Sequence, residues 1–196
     1  MILKKKIILA STSPYRAELL RRLQIPFAVS KPATDEAALS GETPAQTALR
    51  LSLAKARSVE GQFPDALIIG SDQVAELDGT PIGKPGTRNA ARLQLQKMRG
   101  QTLIFHSGVA LLNTGSGDAQ STVVATSVRF RDYSDEEIEA YLNGEDALDC
   151  AGSAKSEGLG IALIAAMQSD DPTALVGLPL IALCGMLRQE GFQVLE

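Results

Sequence analysis

The chain contains no tryptophan and a single histidine, and aromatic residues make up only 4% of it. A platform for stacking unpaired bases needs exposed aromatic faces, which this composition does not supply. Positive charge is not in excess either. Against 19 Lys and Arg stand 23 Asp and Glu, a formal charge of −4. Without a long basic run there is little to meet a duplex phosphate backbone, so nucleic acid is not an expected partner. His106 alone cannot build a multi-histidine metal site, and no Gly-x-Ser-x-Gly elbow accompanies it, which disfavours a Ser-His-Asp hydrolase. Walker A and Rossmann fingerprints are also missing. The two cysteines, Cys150 and Cys184, form no CxxC pattern. They read as buried free thiols in a reducing cytosol. Long hydrophobic runs are lacking as well. The stretch 174–187 is uncharged but broken by Gly177, Pro179 and Gly185, and it falls short of the roughly 18 apolar residues of a membrane span. Lys4-Lys5-Lys6 ahead of Ile7-Ile8-Leu9-Ala10 imitates a signal peptide, but its apolar run is shorter than the about 7–15 residues an h-region needs. A soluble cytoplasmic protein without a membrane partner is expected.

What the chain does have is an ordinary globular composition, 44% hydrophobic and 21% charged. At this length folding buries roughly 70% of the unfolded chain's surface, enough for a core without disulfides. Residues 6–10 form a β-branched run that reads as a strand, and Ser13-Pro14 opens a helix, with serine as N-cap and proline in the first turn. Residues 27–30 read as extended. Thr43-Pro44-Ala45-Gln46 has the form of a capping box, predicting a helix from 44 to about 60. Residues 66–71 read as a buried strand, Asp78-Gly79 as a hairpin turn, and 87–99 as a helix closed by Gly100. Two longer strands are predicted at 102–113 and 121–131. Ser134-x-x-Glu137 opens a helix to about 142, residues 159–163 read as an apolar strand, and a last helix covers about 179–190. Hairpins and helical crossovers together predict an α/β or α+β fold with a mixed sheet.

Several junctions carry groups suited to anionic chemistry. The loop Ser11-Thr12-Ser13 enters a helix N-terminus, where free backbone N–H groups and the helix dipole favour an anion. Arg16 in the first turn can fork onto a phosphate. Taken alone, the same stretch fits an ordinary capped helix with a solvated arginine. Asp72, after the apolar run 66–71, sits where open sheets tend to place ligands. It can bind a divalent metal, polarise water, or simply start a turn. Lys84, between Gly83 and Pro85, puts a cation on a stiff loop or on a plain surface turn. Lys55, in a helix with basic neighbours, reads locally as part of a solvated face.

The order of these pieces is more informative than any one of them. Leu9-Ala10-Ser11-Thr12-Ser13-Pro14-x-Arg16, Asp35-Glu36, Ala54-Lys55-Ala56, Ser71-Asp72, Gly83-Lys84-Pro85, Ala151-Gly152 and Val176-Gly177-Leu178-Pro179 together resemble the Maf family of nucleoside triphosphate pyrophosphatases, from near residue 6 to residue 190. The resemblance implies an α/β fold, one domain over residues 1–196, with two lobes around a mixed, twisted sheet, flanking helices and a central cleft. It implies hydrolysis of the α–β phosphoanhydride of a nucleoside triphosphate, with Mg²⁺ or Mn²⁺ as cofactor. By motif position Asp72 corresponds to the proton acceptor. Ser11, Ser13, Arg16, Lys55 and Lys84 would surround the triphosphate, and Glu36 with Asp72 would hold the metal. A homodimer is compatible with the resemblance.

Ser71-Asp72-Gln73 and Lys155-Ser156-Glu157-Gly158 resemble the bacterial subgroup that acts on 7-methyl-GTP, in which tryptophan commonly stands where this chain has Tyr15. N7 methylation leaves guanine with a delocalised positive charge. Tyr15 can face that charge as a cation–π partner, Glu157 can offset it while accepting from the guanine edge, and Gln73 can both donate and accept. Two alternatives stay open: a pyrophosphatase of the same family acting on dTTP or UTP, and a non-catalytic regulator of septum formation.

Overall fold

In the computed structural model, which describes residues 5–195, the elements run β1 (Lys6–Ala10), α1 (Pro14–Arg21), β2 (Phe27–Ser30), α2 (Pro44–Arg57), β3 (Ala66–Leu77), β4 (Thr80–Ile82), α3 (Arg88–Met98), β5 (Thr102–Asn113), β6 (Ala119–Phe130), α4 (Asp135–Gly144), β7 (Ile164–Ser169) and α5 (Leu180–Gln189). Lys4 of the basic start lies outside the described residues. The local signals act as their chemistry requires. Ser13 Oγ accepts from the Arg16 N–H at 3.4 Å, and both capping boxes, Thr43 with Gln46 and Ser134 with Glu137, are closed in both directions. Asp78 and Gly79 both take positive φ, 50° and 74°, as a tight hairpin between twisted strands demands.

The strands form one seven-stranded mixed sheet in the order β2-β1-β3-β5-β6-β7, with β4 also on β3. β1 pairs in parallel with β2 and β3, and every other pairing is antiparallel. Apolar side chains gather in separate clusters. One joins β1 and the first half of β3 to α1 and α5, and another lies beneath α2. A third, with Leu95, Met98, Phe105, Phe130, Tyr133 and Ile138, is built around α3 and α4. The first two share one half of the sheet and the third holds the other, giving the two expected lobes, and β3 and β5 contribute side chains to both halves.

Three expectations are corrected. Residues 159–163 are not a strand but a short 3-10 turn, and the strand follows at Ile164–Ser169. Gly160 is the reason: it lies so close to the main chain of Lys155 that a Cβ there would be 2.5 Å from the Lys155 carbonyl oxygen. β3 does not stop at Ser71 but continues to Leu77, which places Asp72 inside a strand. Cys150 and Cys184 are free thiols, yet half-buried rather than buried.

Candidate active site

β3 changes partner along one edge. β1 pairs with it from Ala66 to Gly70, and its pairing with β4 begins only at Ala75. Between these stretches lies Asp72, at the place where β1 leaves the sheet and the chain turns into the Ser11–Ser13 loop. This is the strand-order analogue of a topological switch point, and a cleft opens there.

Neighbouring strand residues point to opposite faces, so Gly70 and Asp72 share one face, together with Gly108, the residue opposite Asp72 on β5. α2 lies on that face at unusually close range. A Cβ at Gly70 would stand 2.0 Å from the Ser52 carbonyl oxygen, and one at Gly108 would stand 2.3 Å from that of Ala48. Two glycines thus let the helix backbone settle onto the sheet. Lys55 follows Ala48, Leu51 and Ser52 at helical spacing and points inward with them. The solvated reading of Lys55 is therefore overturned. Its side chain is 6% exposed, and its Nζ donates to Asp72 Oδ1 at 2.6 Å. The signal was present in the apolar positions that share its helix face, and the basic neighbours masked it.

The same ammonium reaches Glu36 Oε1 at 2.7 Å. Glu36 sits on the irregular segment before α2, and its carboxyl is held below the usual carboxylate range, chiefly by the hydrogen bond from Lys55. Sequence reasoning missed what fastens this segment. Arg50 on α2 forks onto Glu42, with Nη2 donating at 2.8 Å to Glu42 Oε2 and at 2.9 Å to the carbonyl of Ala37, the residue after Glu36. Glu42 also accepts from the Leu39 N–H at 2.9 Å. Arg50 first, then that backbone bond, push Glu42 down to about 2. A depressed carboxylate gives its full contribution above the ordinary value of 4.5 and loses it only as pH falls toward about 2. The fork is therefore intact at neutral pH.

On the other side of the cleft, the Ser13 N–H donates to the buried Ser11 Oγ at 3.1 Å. Arg16 Nε donates to the Gly177 carbonyl at 2.8 Å. Burial pulls the guanidinium below its ordinary value, while Asp72 and Glu36 oppose this. Gly177 takes φ 115°, a conformation that leaves its carbonyl shared between Arg16 and the Ser71 Oγ, 2.8 Å away. The Val176-Gly177 motif is thus an anchor for Arg16, which the sequence did not reveal. Lys84 is exposed on the loop after β4 and adds its field to that lowering Glu36.

All ten residues singled out from the sequence border one cleft of about 650 Å³. Asp72, Glu36, Lys55, Arg16 and Lys84 form one charged group in it, and Ser11, Ser13, Tyr15, Gln73, Glu157 and Asp149 also line its wall. The expectation for Gln73 is narrowed. Its Nε2 lies 2.9 Å from Ser107 Oγ, 3.1 Å from the Ala174 carbonyl and 2.9 Å from that of Leu175. The donors are occupied by the protein, and only Oε1 is left to accept. His106 stands elsewhere, 3.3 Å from Glu76.

The site can receive a polyanion and position water against it. As to a metal, the two carboxylates of Glu36 and Asp72 already converge on one cationic group, and both offer hard oxygen donors of the kind Mg²⁺ and Mn²⁺ prefer. Among the described residues no cluster of three or more His, Cys, Asp or Glu could hold an ion by itself. The pair therefore fits an ion completed by substrate oxygens and water, not a closed protein cage.

Comparison with known proteins agrees with this architecture. The family described as Maf-like protein matches residues 6–190. The 7-methyl-GTP pyrophosphatase of Albidiferax ferrireducens is 56% identical over 193 residues, 98% of this chain and 97% of that protein. That of Methylobacillus flagellatus is 57% identical over 189 residues, 96% of this chain and 98% of its own. That of Paraburkholderia xenovorans is 58% identical over 193 residues, covering 97% and 94%. Among solved structures, the Staphylococcus aureus Ham1 protein aligns with a TM-score of 0.54 over 95% of this chain and all 100% of that one, at 15% identity, a likeness of fold alone.

Proposed function

This chain belongs to the Maf family, and from that premise we propose that it is a nucleoside triphosphate pyrophosphatase whose preferred substrate is 7-methyl-GTP, cleaved to 7-methyl-GMP and pyrophosphate. The observation that carries the reading is the division of charge along one cleft. Arg16 and Lys55 act on both Asp72 and Glu36, and Lys84 acts on Glu36. Asp149 instead meets the Lys155 ammonium that lies over the Tyr15 ring, and Glu157 joins it in lining the cleft. 7-methyl-GTP has the matching polarity, an anionic tail and a cationic base. The names carried by full-length relatives above 50% identity support the same substrate.

In the mechanism we propose, the triphosphate lies over the Ser11–Ser13 loop and the start of α1, where backbone N–H groups and the helix dipole receive it. Arg16, held by the Gly177 carbonyl, and Lys55 and Lys84 share its charge. Phosphoryl transfer asks little covalent work of a protein, so positioning and charge neutralisation dominate. Asp72 orients a water at the α–β bridge and accepts its proton as the bridge breaks. Lys55 holds that carboxylate in position through their 2.6 Å hydrogen bond until substrate oxygens compete for its ammonium. Glu36 and Asp72 would hold Mg²⁺ or Mn²⁺, which when bound supplies further positive charge to the phosphates. No described helix is long and apolar enough to cross a membrane. We place the activity in the cytoplasmic nucleotide pool, consistent with two free cysteines.

The test is a comparison of pyrophosphate release from 7-methyl-GTP, GTP, dTTP and UTP with Mg²⁺ or Mn²⁺ present. The highest kcat/KM is expected for 7-methyl-GTP. Release of terminal phosphate in place of pyrophosphate, or a preference for the pyrimidine nucleotides, overturns the reading.

The Arg50 fork gives a second expected result. Arg50→Gln should raise the metal concentration giving half-maximal activity by about 10-fold, the usual scale for losing a group that orients a ligand. The nucleotide KM should change much less, because Arg50 faces the Glu36 segment and not the phosphate loop. Titrating Mn²⁺ at saturating nucleotide measures this, and an unchanged titration would show that Arg50 does not hold Glu36 in place.

A further inference from the structure

Lys155 has no part in the chemistry described so far, yet both its main chain and its side chain are held by neighbours near the cleft. Its N–H donates to Tyr141 Oη at 3.1 Å. Its carbonyl accepts from the Gly158 N–H at 3.1 Å. The side chain is 13% exposed and crosses toward α1, where Nζ lies over the Tyr15 ring, 5.5 Å from its centroid. Glu145 Oε1 and Asp149 Oδ1 stand 3.6 and 3.8 Å from the same nitrogen.

Position relative to the cleft decides what this contact means. Tyr15, Asp149 and Glu157 border the cleft, and Lys155 does not. The ammonium thus lies over the Tyr15 ring without itself lining the cleft that the ring borders. Burial pulls the Lys155 ammonium down, but Tyr15, Cys150 and Asp149 together outweigh it and hold the group above its ordinary value. It remains a cation at any working pH. A lone cation over the ring would oppose a cationic base in the cleft. Here Glu145, Asp149 and Glu157 bring three negative charges against that one positive charge, so this wall of the cleft stays net negative.

We propose that Lys155 is a positioning residue for base recognition. Its ammonium clamps the Tyr15 ring and ties it to the 149–157 segment, so that the ring and the Glu157 carboxylate present one rigid receptor to a purine cation. This rests on the substrate reading above and adds to it. Recognition of the positive base then comes mainly from Asp149 and Glu157, while Tyr15 supplies a flat surface whose orientation is set before binding. Two cleft walls far apart in the chain are joined through one cation–π contact.

Lys155→Met removes the charge and keeps the stem. With 7-methyl-GTP its KM should rise about 2- to 30-fold while kcat stays within about 2-fold, the range to which the loss of one cation–π contact converts. With GTP the rise should be smaller, and Lys155→Arg should restore most of the 7-methyl-GTP affinity. In a Tyr15→Leu background, Lys155→Met should add little, because the lysine acts through the ring. Equal KM losses for both nucleotides, a fall in kcat alone, or full additivity with Tyr15→Leu would each overturn the proposal. If Lys155→Met does not fold, Lys155→Gln takes its place in the same measurements. Calorimetric binding of 7-methylguanosine and guanosine gives a readout that needs no hydrolysis. Should the wild type prefer another nucleotide, the substrate reading falls. The double-mutant comparison on that nucleotide then still decides the role of Lys155.

Discussion

Asp72→Asn is expected to lower turnover by about 10²–10⁴-fold, the range that a positioned proton acceptor contributes, while the protein remains folded. The Asp72 side chain is 10% exposed, and its principal partner is the buried ammonium of Lys55. Removing one member of a buried pair is ordinarily costly, because it strands the other charge. Lys55 is not stranded here. Glu36 stays 2.7 Å from the same nitrogen, and the asparagine side-chain oxygen can still accept. A stability loss of about 1–3 kcal/mol is expected, small enough for thermal melting to show a cooperative native state. Single-turnover pyrophosphate release separates the two effects. Near-normal turnover in a folded Asp72→Asn protein would remove Asp72 from the chemistry. Complete unfolding would show that the Lys55–Asp72–Glu36 group serves the fold first.

The second large effect is expected at a residue that touches no substrate. Gly70→Ala places a Cβ 2.0 Å from the Ser52 carbonyl oxygen and 2.8 Å from the Ala56 backbone nitrogen. Those obstacles are helix backbone, so no side chain can swing aside and α2 must lift from the sheet. Overpacking of this kind costs about 1–3 kcal/mol or more, equivalent to a fall in Tm of roughly 2–4 °C per kcal/mol at this chain length. The functional loss should exceed the loss of stability. Lys55 is carried on the displaced helix, and relieving a 2.0 Å approach takes a shift of about 1 Å, enough to stretch its 2.6 Å contact with Asp72 out of hydrogen-bond range. Gly185→Ala is the control. It lies in α5, and a Cβ there has no heavy atom within 4 Å. The same substitution should therefore stabilise by about 0.5–1 kcal/mol through helix propensity and leave kcat unchanged. Urea unfolding with kinetics on the folded protein measures both. Wild-type stability and turnover in Gly70→Ala would mean that close helix-to-sheet contact is not what delivers Lys55.

Much of this protein is legible in its sequence. Ser13-Pro14, Thr43 with Gln46, Ser134 with Glu137 and Asp78-Gly79 start helices and close a hairpin where local chemistry says they should. These signals act within a few residues, through a cap or a turn, and need no tertiary partner. The ten residues named from the ordered motifs, from Ser11 to Glu157, likewise all border the one cleft.

What the chain alone did not settle depends on distance through space. Whether Lys55 faces solvent or Asp72 is decided by how closely α2 approaches β3, which Gly70 and Gly108 permit from 15 and 53 residues away along the chain, counting from Lys55 itself. The commitment of Gln73 to the 174–175 carbonyls, the grip of Gly177 on Arg16 and the placing of Lys155 over Tyr15 are of the same kind. Caps and turns are short-range and are written where they act. A buried charge takes its partner from whatever the packed fold brings within about 3–4 Å, and only the tertiary structure decides that.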